Sequence, residues 1–225
     1  MVRSSRLRRA RLATAVLAGL LVTGCAQNPP GVAAQVGDDR ITDEQVDELA
    51  EALCVLNSAQ QSQQGPVPTQ QVRRQALQIL LDNELAAGII DPAAVDKEQL
   101  AAARQQAAAT RQSLPERLRD TFDDAVDGFA TSQLGLVALG RESLIAKGTR
   151  NPDDQAALAE GQKLRTRHAQ EVGVSVDPRF GSFEKGQLQP SDGSLSVAVS
   201  AQAKASASGD TTGTDLPANL SCGTS

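Results

Sequence analysis

The strongest constraint on this chain lies in its first 25 residues. Arg3, Arg6, Arg8, Arg9 and Arg11 form a basic cluster with no acid among them, and the uncharged run from Leu12 to Gly24 ends at Cys25. A basic flank followed by a short apolar run is the pattern of an export signal. Thirteen residues are too few for a finished membrane anchor, which needs roughly 20. Cutting before Cys25 assigns residues 1–24 to a signal peptide and leaves 201 of the 225 residues, enough for one ordinary domain. It also removes five of the 22 basic side chains and none of the 27 acids, so the net charge falls from −5 to −10. A basic nucleic-acid footprint is absent from such a chain, and no nucleic-acid partner is expected.

The four residues before Cys25, Leu21-Val22-Thr23-Gly24, resemble a bacterial lipobox, with an aliphatic residue at −3 and small residues at −2 and −1. On that reading Cys25 is diacylated (with chains such as palmitate) and becomes the new N-terminus. Each buried methylene contributes about 0.8 kcal/mol, so two or more chains hold where one does not. An ordinary signal peptide with a chance cysteine is the alternative. The expected location is extracytoplasmic, anchored to the bacterial cell membrane by N-terminal lipid. Cys54 and Cys222 are the remaining thiols, and in an oxidising compartment the expectation is that they pair; two separate thiols are the other reading.

Composition narrows the chemistry. Tryptophan and tyrosine are absent, and four phenylalanines supply all the aromatic surface. Stacking platforms for bases or sugars are hard to build from that set. One histidine, His168, makes multi-histidine metal sites unavailable and a histidine-centred triad improbable. His168 shares a helical face with Leu164 and Val172, so helix packing outweighs an acid–base role. Asp123, Asp124 and Asp127 lack the spacing of a calcium loop and read as a solvated helix face. No catalytic residue, metal or cofactor is assigned.

Periodicity predicts a mostly α chain. Val32–Val36 and Ile41 flank the turn Gly37-Asp38-Asp39-Arg40, and Thr42 with Gln45 forms a capping box opening a helix over 43–57. A second helix is expected after a cap at Thr69, with Val72, Ala76, Leu77, Leu80 and Leu81 inward and Gly88 as its stop. A third runs over 97–111. A long fourth begins at Pro115, where Gly128, Gly135 and Gly140 invite a kink or break. Asn151-Pro152 is expected to cap the last helix, ending near Val172. Val174 to Asp177 alternates as a strand and is expected to pair with Val32–Val36, because a lone strand leaves its backbone groups unpaired. The domain is read as residues 33–190, after a tether over 25–32 and before a low-complexity tail over 191–225.

Three of these segments, in this order, resemble the SurA N-terminal domain family. They are Val36 to Val46 with its Ile41-Thr42 and acidic helix start, Gln75 to Ile90 ending in Gly88-Ile89-Ile90, and Val176 to Glu184. The resemblance spans roughly residues 33 to 190. It implies a SurA-like helical chaperone core whose closing strand returns to the opening one, acting as a holdase for unfolded or exported polypeptides. Family members often carry a parvulin domain between the helical parts. Residues 91–175 read here as helices, so prolyl-isomerase activity is not carried over. Phe122 and Phe129 are the candidate client-binding residues, with core packing as the competing account of both. A cell-envelope lipoprotein that docks one specific partner is the alternative function.

Overall fold

The computed structural model describes residues 28–60, 67–190 and 221–222. Cys25, the signal segment 1–24 and most of the tail 191–225 lie outside the described residues. β1 (Val32–Val36) turns back into β2 (Asp39–Thr42) through Gly37, whose φ of 58° suits a residue without a Cβ. The other edge of β1 pairs antiparallel with β4 (Val174–Val176), in the register Ala34↔Val176 and Val36↔Val174. The expected meeting of the opening and closing segments is therefore present, as a three-stranded sheet ordered β2-β1-β4.

α1 (Asp43–Gln60) starts as the capping box requires. The Gln45 N–H donates to the Thr42 hydroxyl at 3.2 Å, and the Thr42 N–H donates to Gln45 Oε1 at 2.8 Å. α2 (Thr69–Ala87) starts differently from expectation. Thr69 is its first helical residue rather than its cap, because Val67–Pro68 is already committed as a short strand, β3, paired with a distant part of the chain. Gly88 does end α2, but with right-handed backbone at φ −66°. Its lack of a side chain serves packing, since a Cβ there meets Nε2 of His168 at 2.5 Å.

Asp96 caps α3 (Lys97–Ser113) by accepting from the Glu98 and Gln99 N–H groups. Short 3₁₀ turns at Pro92–Ala94 and Glu116–Leu118 flank it. α4 (Arg119–Ala146) then runs through Gly128, Gly135 and Gly140 without the anticipated break. The glycines mark close approach. A Cβ on Gly140 falls 1.9 Å from the Ala157 carbonyl oxygen, and one on Gly161 falls 2.2 Å from that of Leu136. α4 and α5 (Asp154–Val172) thus cross backbone against backbone. The cap of α5 is Asp153, which accepts from the Ala156 N–H at 2.7 Å; Asn151-Pro152 lies just outside.

Phe180, between β4 and a hairpin of β5 (Ser182–Glu184) and β6 (Gln187–Gln189), joins the main core. That core fills the space between the sheet, α1 and α2 with Val46, Leu49, Leu77 and Leu81. A smaller one gathers Ala86, Ile90, Val95 and Leu136 where α4 meets the end of α2. Among the described residues, no helix is long and apolar enough to cross a membrane.

Candidate functional site

α4 is 28 residues long, about 42 Å at 1.5 Å per residue, and its two sides differ. Ala130, Gly135, Leu136 and Gly140 are buried. Phe122, Val126 and Phe129 follow one another at helical spacing on another side; the first two are half-buried and Phe129 is 56 % exposed. Core packing, the competing account for both phenylalanines, therefore fails for Phe129. Ile145, near the far end of the same helix, is 53 % exposed.

α3 lies along α4 and buries no residue completely. Leu100, Ala103 and Ala107 are half-buried, and charge pairs add to the contact. Arg104 grips Asp127 with two hydrogen bonds, Nε to Oδ1 at 2.6 Å and Nη2 to Oδ2 at 2.7 Å; Arg111 Nε donates to Asp123 at 2.6 Å. Asp123 and Asp127 thus serve as counter-ions to α3, while Asp124 is exposed. Among the described residues, no group of three His, Cys, Asp or Glu side chains is placed to hold a metal.

Two enclosed charges were not singled out by the sequence. Glu160 on α5 is 7 % exposed, and its carboxylate accepts from Ser143 at 3.1 Å and from Lys147, both on or just beyond α4. The Lys147 hydrogen bond holds this carboxyl below the usual glutamate range. Arg165, whose side chain is 13 % exposed, pairs with Asp82 of α2 at 2.9 Å. Burial pushes the Asp82 carboxyl up, against the pull of Arg165. Gln78 donates to the same carboxylate at 2.8 Å and accepts the Leu188 N–H at 2.7 Å, so the β5–β6 hairpin is tied to this pair. Their signal in sequence is only an acid or a base on the inner stripe of an amphipathic helix.

Arg179 links the closing segment to the opening one. Its Nη2 bonds Asp43 and Asp177, each at 2.9 Å, and its guanidinium lies 5.8 Å from the Phe180 ring centroid. Arg73 covers the same ring at 5.1 Å. His168 is half-buried over Gly88, in keeping with helix packing. Cys54 and Cys222 are joined by a disulfide with their Cα atoms 5.1 Å apart. What the α4 surface offers chemically is a long helix that presents a phenylalanine to water.

Compared with known proteins, the chain matches no family model, no curated protein and no solved structure.

Proposed function

We propose that this chain is a lipid-anchored, extracytoplasmic protein that captures apolar segments of exported polypeptides, as a SurA-like holdase. The exposed Phe129, in line with Val126 and Phe122 on a 28-residue helix, is the observation that carries the reading. Fully burying such a side chain stabilises a complex by about 1.5–3 kcal/mol. Capture then works by removing client surface from water, with no bond made or broken. The pairing of β1 with β4 supports the SurA likeness, in which the closing strand returns to the opening one.

The test is light scattering from several unrelated denatured clients in the presence of the full chain. Suppression across clients that weakens in Phe129→Ser supports a holdase. The apolar stripe is short, one exposed phenylalanine in line with two half-buried side chains, which also suits a single partner helix. Suppression of none, with one envelope partner lost in Phe129→Ser, assigns that dedicated docking role instead. Cys25→Ala should release the protein from membranes, and a proline-peptide isomerisation assay should read blank.

A further inference from the structure

β7 (Ser221–Cys222) is the segment that β3 pairs with, in the antiparallel register Val67↔Cys222 and Pro68↔Ser221. It has only two residues, yet Cys222 is 3 % exposed and Ser221 is also buried. The pair lies against α1 and α2, and Cys222 belongs to the same apolar core as Leu49, Val72 and Leu77. Thirty residues, 191–220, separate it from the end of the β5–β6 region. One part of the main core is therefore a slot between two helices, completed by a short extended segment from far along the chain.

We infer that this slot is a strand-accepting site for an extended polypeptide segment with small uncharged side chains, filled in cis by Ser221–Cys222 and opened by thiol–disulfide exchange at Cys54–Cys222. The inference needs neither Phe129 nor the lipid anchor, so it stands apart from the holdase reading. β3 supplies the backbone edge to which a segment adds, the usual basis of affinity in strand addition. Pro68 lacks an N–H, which keeps the pairing short. The seated residues define the fit, since both are small and both are enclosed.

The bond decides when the site is open. The disulfide makes occupancy by Ser221–Cys222 covalent. The reductant class required is a dithiol. One of its thiolates attacks Cys54 Sγ, the half-buried partner, and Cys222 departs as a thiolate that takes up a proton. The second thiol attacks the mixed disulfide, which frees Cys54 as a thiol and leaves the reagent oxidised by two electrons.

The experiment uses the full chain carrying Cys222→Ser. The probe is the nonapeptide of residues 217–225, its cysteine activated as a thionitrobenzoate mixed disulfide, beside the same composition in scrambled order. The adduct at Cys54 is followed by peptide mapping. The native-order peptide should couple about tenfold faster than the scrambled one, because both can add their backbone to β3 but only the native order seats a small serine beside the cysteine in the enclosed register. The oxidised wild-type chain should form no Cys54 adduct with either. Equal coupling rates would overturn the inference. So would loss of the helical circular dichroism signal in both the C222S chain and the dithiol-treated wild type, because the bond is then a staple and the slot does not outlast its own tail.

Discussion

Leu77, Leu81 and Leu85 of α2 fill one half of the molecule, whereas Gly135, Gly140 and Gly161 shape the other. The sheet, α1, α2 and β7 enclose a core of large aliphatic side chains, drawn from segments as far apart in sequence as Val36, Leu77 and Cys222. α3, α4 and α5 contribute few large buried residues. They hold together by backbone approach at Gly140 and Gly161, by the enclosed Glu160 and by surface charge pairs along α3. The first half spends its apolar residues on cohesion and leaves little of them outside. The second packs through small residues on its inner side, and its Phe129 and Ile145 face water. Close helix packing and apolar exposure coexist where glycines, not large side chains, make the contact.

Core truncation in the first half should have the largest effect. Leu77→Ala removes a fully buried side chain and should cost about 2–5 kcal/mol in denaturant titration, with the spread set by how far the site collapses. Leu158→Ala, half-buried beside the smaller core, should cost less. Similar losses at both positions would erase the distinction between the halves. Gly140→Ala comes next. Alanine in a helix interior ordinarily gains about 1 kcal/mol over glycine. Here the new methyl meets the Ala157 carbonyl and the Gly161 nitrogen, both backbone, so the substitution should instead cost about 1–3 kcal/mol. Gly128→Ala sharpens the point. Its methyl meets the movable end of Asn83, so its cost should be smaller.

Much of the first half was legible because its signals are local or periodic. The Thr42–Gln45 box, the stripe Val72, Ala76, Leu77 and Leu81, and the alternation around Val174 each act within one element. The strand pairing followed from the need to satisfy the backbone, and the Cys54–Cys222 bond from the want of any other thiol partner. The second half hid its logic. Propensity reads a mid-helix glycine as a weakness, and only the position of the facing helix turns Gly140 into a contact. Thr69 misled because its competitor, the pairing of Val67 with Cys222, lies 155 residues away in sequence. Phe129 carries the same periodic mark as a core residue. Its exposure depends on which faces of α4 the neighbouring helices take.

A pH titration tests the seam that closes the first half. Hydrogen bonding from Arg179 holds the Asp177 carboxyl below the ordinary aspartate range. The folded state then binds its proton more weakly than the unfolded chain does. That stability is present above about pH 4 and is lost as pH falls through the folded value. Asp177→Asn should flatten the acid limb of the stability curve and cost on the order of 1 kcal/mol at neutral pH, allowing for the exposure of Arg179. Asp82 works in the opposite sense. Burial raises its carboxyl, so its contribution declines as pH rises between the ordinary and the raised value. An unchanged acid limb in Asp177→Asn would remove Arg179 from the account of how the two ends of the domain are joined.

The smallest effect belongs to α3, where the second half is held most loosely. Arg104 and Asp127 make a two-pronged contact, but both side chains are well exposed, and exposed pairs contribute about 0.2–1 kcal/mol. A double-mutant cycle of Arg104→Ala and Asp127→Ala should return a coupling in that range, falling further at 1 M salt, where the screening length shrinks to about 3 Å. Global stability should hardly register it, because α3 contributes no fully buried side chain. Amide exchange should register it clearly. Local opening of an element with few buried contacts costs far less than global unfolding, so a few tenths of a kcal/mol is a large share of its protection. Faster exchange confined to residues 97–113 in Arg104→Ala would locate the effect in α3. Equal acceleration across α2 would mean that α3 is coupled to the leucine-filled half, and that the two halves respond as one.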